Sequence, residues 1–220
     1  MSEQSKLTVY GVGTSRALRA HWAMAELDLT YRTEQIQSRS GQTQTSAYTQ
    51  LDPRQKIPVL QDGDFVLSES SAIITYLAEN HGRPDRQLVP SDVHQRARYN
   101  EWVSFICMEL DATSLYVLRR HEGLPQIYGE SPVASKVARD YFIKMIEAAA
   151  VRFADGRPYL LGDQFSGADM LMMTILIWAK RLEPPLALPA VFEDLHDRIA
   201  ARPAYQAAVA ANTPEGPLTP

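Results

Sequence analysis

Glu69 and Ser70 carry polar groups at a position suited to binding an amino-acid-like ligand. They stand where a helical pattern begins, directly after the strand pattern at residues 65–67. Backbone amides and a hydroxyl at a helix N-terminus bind carboxylates, and an adjacent carboxylate side chain pairs with an ammonium group. Serines at such positions also serve simply as helix caps. The two residues therefore predict either a binding site for a carboxylate and an ammonium group or a plain helix start.

Ile57 and Pro58 offer a second binding feature, in the main chain. Only about one X-Pro bond in twenty is cis in folded proteins, and a trans bond would make this an ordinary strand start. A cis bond would turn the N–H and C=O of Ile57 away from the sheet, free to pair in strand fashion with an extended peptide. The segment predicts a peptide-binding edge if the bond is cis.

A small α/β domain is needed to position these segments. Alternating residues from Leu7 to Tyr10 predict a first strand, and Thr14 and Ser15 lead from it into a helix. The pattern then predicts a strand at 31–36, a loop with a short helix at 37–50, a hairpin at 57–67 and a helix at 70–81. This order mixes parallel crossovers with a terminal antiparallel hairpin.

The second half of the chain lacks strand patterns. Residues 83–91 are rich in proline and charge and are typical of a linker. Helical spacing of apolar residues covers 96–119, 133–154, 167–179 and 191–202. We therefore predict an α/β domain at 1–82, a linker at 83–91 and an all-helical domain at 92–220.

Two helices of the second half carry sharper signals. In the second, Val137, Tyr141, Met145 and Ala149 recur every four residues, as in a helix. The third is apolar almost all round and predicts the centre of its domain. Ser166 and Asp169 have the spacing of a capping box at the start of that third helix, which indicates a structural role for both.

The composition argues against several other classes of function. Asp and Glu total 26 against 22 Lys and Arg, a net charge of -4, so we expect no nucleic-acid partner. No stretch approaches the roughly 18 apolar residues of a membrane span. The single cysteine, Cys107, excludes an intramolecular disulfide. The five histidines lack ligand spacing and are expected at surface or capping positions, so we predict a cytoplasmic protein without a metal.

Several motifs resemble the cytosolic glutathione transferases, and together they span most of the chain. The resembling segments are Lys56-Ile-Pro-Val-Leu60, Asp62-Gly63, Leu67-Ser-Glu-Ser-Ser-Ala-Ile73 and Tyr159-Leu-Leu-Gly-Asp-Gln-Phe-Ser-Gly-Ala-Asp169. The resemblance implies an α/β thioredoxin-like N-terminal domain, an all-α C-terminal domain and a homodimer. It also implies that glutathione is the co-substrate.

The same resemblance assigns roles to the binding residues. Glutathione would lie between Pro58, in cis, and the helix start at Glu69 and Ser70. The Ile57 backbone would hold its cysteinyl part, and Lys56 would lie near its glycine carboxylate.

The catalytic question is which hydroxyl stabilises the glutathione thiolate. A free thiol of this kind has a pKa of about 8.5, and lowering that pKa by about two units takes roughly 2.7 kcal/mol. One hydroxyl donor contributes about 1.5 to 3 kcal/mol. The loop at 11–16 resembles the serine-type classes, in which a Ser or Thr just before the first helix is the donor. Counting from Arg19 points to Ser15 in a theta-like pattern and to Thr14 in a zeta-like one. We favour Ser15, then Thr14, then Tyr10.

The leading hypothesis is that the protein is a glutathione transferase with a role in detoxification. In this reaction the glutathione thiolate would attack a small hydrophobic electrophile. Dehalogenation, isomerisation and peroxide reduction on the same site stay open. The alternative is a non-catalytic glutathione-binding or regulatory protein of the same fold, because the binding motifs are clearer than the catalytic loop.

Overall fold

The computed structural model describes residues 6–216, which form two compact units. The described residues up to Val89 and those from Ala200 onward make the first unit, and Pro90–Ile199 make the second. The change of unit after Val89 falls within the predicted linker at 83–91. The domain boundaries 1–82 and 92–220 stay predictions, but the residues after Ala200 pack with the first unit, unlike the rest of the predicted helical domain.

The first unit is built on a four-stranded mixed sheet in the order β2-β1-β3-β4. Its elements are β1 Leu7–Val12, α1 Ser15–Glu26, β2 Arg32–Gln37, a 3-10 turn at Gln42–Gln44, α2 Ser46–Leu51, β3 Val59–Asp62, β4 Phe65–Ser68, α3 Ser70–His81 and, from the C-terminal part of the chain, α10 Pro203–Ala211. β1 pairs in parallel with β2 and antiparallel with β3, which pairs antiparallel with β4. This is the element order expected from the sequence for residues 7–81.

The C-terminal helix α10 completes the core of the first unit. Trp22 of α1 is fully buried, and its ring meets that of Tyr205 edge to face at a centroid distance of 4.9 Å. The Glu26 carboxylate accepts the indole N–H of Trp22 at 2.9 Å and the guanidinium of Arg202 at 2.7 and 2.8 Å. The sequence analysis did not predict α10. Its contacts with α1 join residues far apart in the chain, and such contacts leave no local periodic signal.

The second unit contains only helices among its described regular elements. They are α4 Val93–Phe105, a π-helical segment at Ile106–Leu115, α5 Tyr116–His121, α6 Pro125–Tyr128, α7 Pro132–Arg152, α8 Gly167–Lys180 and α9 Ala190–Ala200. The long helix predicted at 96–119 therefore contains a π segment in its middle. There the hydroxyls of Thr113 and Ser114 each donate at 2.7 Å to the carbonyl five residues back, those of Met108 and Glu109.

The buried face of α7 lies beside most of the residues that carry its four-residue repeat. Val137 is 61% exposed, and the side chains that α7 buries include Ala138, Phe142, Ile146 and Ala149. Of these, Ala149 belongs to the repeat as well. Apolar residues therefore occupy two adjacent stripes of this helix, and the stripe that contains Phe142 and Ile146 is the one that packs in the core.

The start of α8 confirms the predicted capping box. Asp169 is fully buried, and its Oδ2 accepts the backbone N–H of Ser166 at 2.9 Å and the Ser166 hydroxyl at 2.7 Å. Its Oδ1 accepts the backbone N–H of Leu160 at 2.8 Å. The carboxylate thus ties the preceding loop to the most deeply buried helix of the unit.

Candidate functional site

The segment around Pro58 leaves a stretch of main chain without partners. The Ile57-Pro58 bond is cis, as expected. Within residues 6–216, the N–H and C=O of Ile57 make no hydrogen bond, and β3 begins only at Val59. Lys56 is exposed, and its carbonyl accepts the Tyr48 hydroxyl at 2.6 Å. A free donor and a free acceptor on one residue match the pairing needs of an extended peptide.

Gly11 lets the end of β1 approach this segment. It has φ of +120°, and a Cβ placed on it would lie 2.6 Å from the Cβ of Ile57. Only glycine fits both the backbone conformation and the space. The loop that leads into α1 therefore lies directly against the main chain that offers the free N–H and C=O.

Ser70 begins α3 with its backbone and hydroxyl available to a ligand. Its side chain is buried, and its Oγ accepts a hydrogen bond from Nη1 of Arg19 at 3.2 Å, so its own proton remains free to donate. Its N–H has no partner within the described chain. The helix start therefore presents an N–H and an O–H at the positive end of the α3 dipole, an arrangement that binds carboxylates.

Glu69 precedes Ser70 in an unusual backbone conformation. Its φ is +70°, although it is not a glycine, and such residues cluster at ligand sites because the conformation costs about 1 to 3 kcal/mol. Its side chain is 71% exposed and pairs with the Arg54 guanidinium at 2.8 Å. Arg54 also contacts Asp52 at 3.0 Å and the Ser68 hydroxyl. The Glu69 carboxylate is thus oriented from one side and open to solvent.

The three candidate hydroxyls have different surroundings. Tyr10 donates to Oε1 of Gln61 at 2.7 Å, and burial, followed by the charge of Glu34, raises its pKa. Thr14 is the N-cap of α1, and its Oγ1 accepts the N–H of Ala17 at 3.0 Å. Ser15 is the first residue of the helix, half-buried, and neither its hydroxyl nor its N–H has a partner among residues 6–216. Ser15 is the one of the three whose hydroxyl makes no hydrogen bond, as donor or acceptor, within residues 6–216.

Arg19 and His21 support this corner of the unit from inside α1. Arg19 lies one turn after Ser15, on the same helix face, and its hydrogen bond to Ser70 links α1 to the start of α3. His21 is fully buried, so the expectation of a surface or capping histidine is wrong for this residue. Its Nε2 lies 2.9 Å from the Gly11 carbonyl and its Nδ1 lies 2.9 Å from the Tyr31 hydroxyl. Burial lowers the pKa of His21, which favours the neutral ring.

The structure brings together the residues that the sequence analysis selected and adds two that it missed. Ile57 adjoins Gly11 at the end of β1, Ser15 follows four residues later, and Arg19 connects the same helix to Ser70. Arg19 and Arg54 were not assigned a role at this site. Arg19 could have been found from the sequence, because it is a charged residue on the buried face of α1. Arg54 could not, because its contact with Glu69 joins residues 15 positions apart and leaves no pattern in the sequence.

The described part of the chain lacks two further kinds of feature, a metal cluster and a membrane-spanning helix. No cluster of three or more His, Cys, Asp or Glu side chains suited to holding a metal ion occurs among residues 6–216. No helix in that range is long and apolar enough to cross a membrane.

Comparison with known proteins gives consistent matches over both units. Residues 5–79 match the family model of the glutathione S-transferase N-terminal domain, and residues 93–207 match that of the C-terminal domain. The chain is 31% identical to glutathione S-transferase theta-1 of Bos taurus over 167 residues, which cover 74% of this chain and 69% of that protein. It is 28% identical to a probable maleylacetoacetate isomerase 2 of Drosophila melanogaster, over 80% of this chain and 74% of that one.

A solved structure extends the match to nearly the whole fold. The theta-class glutathione S-transferase of Xanthomonas axonopodis pv. citri, solved with glutathione bound, has a TM-score of 0.78 and 27% identity. The alignment covers 96% of this chain and 100% of that one. The predicted fold class, an α/β thioredoxin-like domain followed by an all-α domain, is confirmed.

Proposed function

Because the chain belongs to the glutathione S-transferase family, we propose that it binds glutathione along Ile57 and the start of α3 and that Ser15 stabilises the thiolate. The observation that carries the proposal is the state of Ser15, whose O–H and N–H are both without partners at the positive end of α1. The reaction class is that of a transferase.

Each end of glutathione has a matching group in the proposed binding mode. The γ-glutamyl carboxylate accepts hydrogen bonds from the N–H and O–H of Ser70, and its ammonium pairs with Glu69. The cysteinyl part pairs in strand fashion with the N–H and C=O of Ile57. The ammonium of Lys56, which is exposed and has no partner within the described chain, lies near the glycine carboxylate. Support comes from the unpaired groups on Ile57 and Ser70, since a bound peptide would satisfy them.

Ser15 supplies enough stabilisation for a reactive thiolate. A hydroxyl donating to the sulfur contributes about 1.5 to 3 kcal/mol, and the start of α1 adds about 0.3 to 1 kcal/mol. Their sum meets the roughly 2.7 kcal/mol that a two-unit lowering of the thiol pKa requires. Thr14 stays the second candidate, because its Oγ1 serves as an acceptor for Ala17 and still carries a proton.

The proposed reaction begins with loss of the thiol proton to solvent. The thiolate sulfur then forms a bond to the electrophilic carbon of a small hydrophobic substrate, and the leaving group departs with the electron pair of the broken bond. Conjugation is the default outcome. Isomerisation is the second candidate, because one relative is named a probable maleylacetoacetate isomerase.

The test joins a calorimetric titration with glutathione to an ultraviolet scan of the bound thiolate against pH. In Ser15→Ala we expect the pKa of bound glutathione to rise by about one to two units, with the loss of one charged hydrogen bond. Thr14→Ala is the matched control, one residue away on the same helix start, and leaves that pKa unchanged. The opposite pattern would assign the role to Thr14.

Two further outcomes would overturn larger parts of the proposal. Failure of the wild type to bind glutathione would remove the proposed site altogether. Binding without a thiolate near neutral pH would favour the non-catalytic, regulatory alternative.

A homodimer belongs to the same proposal and is supported by the edge of the sheet. β4 is an edge strand, and it exposes 47% of Phe65 and 37% of Val66. Phe65 packs on Tyr76 of α3 at a centroid distance of 4.9 Å, which continues the apolar surface onto the helix. An exposed apolar edge strand needs a cover. We expect Phe65→Asp to yield a monomer in sedimentation analysis, whereas Val133→Asp, at an exposed position of α7, does not.

A cytoplasmic location and a role in detoxification complete the proposal. Fractionation of cells and growth of a deletion strain on toxic electrophiles test these two statements directly.

A further inference from the structure

The amide of Asn212 clamps the loop that precedes Ser15. The N–H of Gly13 donates to the Asn212 carbonyl at 2.8 Å and to its side-chain Oδ1 at 3.1 Å. The Asn212 Nδ2 donates in return to the carbonyl of Thr14 at 3.2 Å. Three hydrogen bonds with one residue therefore hold the N–H of Gly13 and the C=O of Thr14, on either side of the peptide bond that joins these two residues.

The chemistry of this clamp suits asparagine in particular. Gly13 presents a donor and Thr14 presents an acceptor, and a carboxamide is the side chain that offers both an acceptor and a donor in one plane. Aspartate would place a second oxygen against the Thr14 carbonyl. Alanine would leave the side-chain contacts unmade.

The residues after Asn212 fix the same loop by shape. Gly13 has φ of +77°, and a Cβ placed on it would lie 3.1 Å from Cγ of Pro214. Beyond Pro214, the N–H of Glu215 donates to Gln35 at 3.4 Å, alongside the end of β2. The clamp is thus part of a C-terminal tail, residues 212–216, that packs on the first unit.

We propose that Asn212 is a positioning residue for Ser15. The inference rests on the proposed function, in which Ser15 donates to the thiolate. Ser15 stands at the first position of α1, where its own hydroxyl makes no bond within residues 6–216. The direction of the Ser15 hydroxyl therefore depends on where the Gly13–Thr14 main chain is held. Asn212 holds that main chain from outside α1, while Ala17 and Leu18 bond to Thr14 from within the helix.

The competing explanation is that Asn212 only ends α10. It is the C-cap of that helix, and its N–H bonds to the carbonyls of Ala208 and Ala210. In that case its loss would lower stability and leave the chemistry of glutathione unchanged. The two explanations differ in the pKa of the bound thiol, which a purely structural role would not move.

The experiment compares Asn212→Ala and the nearly isosteric Asn212→Asp with wild type in the full chain. We expect the bound thiolate at neutral pH to fall about threefold to tenfold, and kcat/KM with it, because small misplacements of a reacting group have effects of this size or larger. At a pH below the pKa of the bound thiol, the Kd of glutathione changes less than about twofold, since Ile57 and Ser70 are untouched. Thr213→Ala is the matched control: its hydroxyl bonds to Val209 of α10 and not to the loop.

An unshifted thiol pKa in both Asn212 variants overturns the inference, whatever their thermal stability. The Ser15→Ala variant is measured alongside and separates the two proposals. If it leaves the thiol pKa unchanged, the proposed donor is wrong. A shift in the Asn212 variants would then mean that the clamp positions another donor of the loop, and the inference for Ser15 would fall with the proposed donor.

Discussion

The starts of α1 and α8 both carry hydroxyl-bearing residues, but the side chains at the two starts are in different states. At α8, Ser166 and Asp169 satisfy one another, and the Asp169 carboxylate also takes the Leu160 N–H. At α1, Thr14 caps the N–H of Ala17, while Ser15 keeps an N–H and an O–H without partners in the described chain. We interpret the start of α8 as a structural joint and the start of α1 as part of the proposed glutathione site.

The two starts also differ in what holds them. The α8 start is closed by residues within nine positions of each other. The α1 start is held by residues distant in sequence, with Asn212 on one side and the Arg19–Ser70 contact on the other. The proposed function accounts for this difference, because it keeps the Ser15 hydroxyl for the ligand.

Removing the Asp169 carboxylate from the start of α8 has the largest expected effect, which is on the free energy of unfolding. Asp169→Ala leaves the backbone N–H groups of Leu160 and Ser166 buried without partners, at about 1 to 3 kcal/mol each. We expect the free energy of unfolding in urea to fall by about 2 to 5 kcal/mol. Glutathione affinity of the folded protein stays at the wild-type value, and a matching loss of affinity would contradict the division into joint and site.

A Glu69 variant tests the start of α3. There the N–H of Ser70 has no partner in the described chain, like the N–H of Ser15 at the start of α1. Glu69→Gln removes the charge that pairs with the ligand ammonium, and we expect glutathione affinity to fall about tenfold, or roughly 1.4 kcal/mol. The free energy of unfolding changes by less than about 0.5 kcal/mol, as is usual at surface positions.

Glu69→Gly is the companion variant. It loses the same affinity, but it relieves a φ of +70° and therefore does not lower the stability, despite the entropy cost of glycine of about 0.5 to 1 kcal/mol. If Glu69→Gln destabilised the fold while binding stayed intact, the α3 start would be a joint like that of α8.

A Thr14 variant tests how much the cap of α1 contributes to the free energy of unfolding. Thr14→Ala removes the cap on Ala17, and we expect the free energy of unfolding to fall by about 1 kcal/mol. Ser15→Ala, which removes no hydrogen bond of the described chain, changes it by less than about 0.5 kcal/mol. Equal losses in the two variants would mean that Ser15 has a partner in the folded state.

The smallest effect is a difference in pH dependence between the two regions. Burial lowers the pKa of His21 below its ordinary 6.5, so its contribution to stability is full above about pH 6.5 and is lost as the pH falls toward the folded-state value. Burial raises the pKa of Asp169 from 3.8 to about 6, so its contribution is full below 3.8 and is lost as the pH rises through about 6.

Urea unfolding of wild type, His21→Gln and Asp169→Asn between about pH 5 and 8 checks these signs. The stability difference between wild type and His21→Gln shrinks as the pH falls. The difference between wild type and Asp169→Asn shrinks as the pH rises. Parallel profiles would contradict both assignments.

Local sequence patterns were sufficient wherever a feature depended on neighbouring residues. Alternation and turn residues predicted the β3–β4 hairpin, and the Ser166–Asp169 spacing predicted the cap that the structure contains. The repeat in α7 predicted the helix but not its buried face, because two adjacent stripes are apolar and the choice between them depends on what packs against the helix.

The candidate site divides in the same way into features that local sequence patterns predicted and features that depend on contacts between distant residues. From the sequence alone came the binding segments at 56–58 and 69–70, the glutathione transferase fold and the short set of hydroxyl donors. The tertiary structure decided which of those hydroxyls is unengaged, paired Glu69 with Arg54, buried His21 beneath Gly11 and brought Asn212 to the loop before Ser15. Hydrogen bonds between residues far apart in the chain leave no periodic trace, because their spacing is set by how elements pack and not by the geometry of one helix or strand.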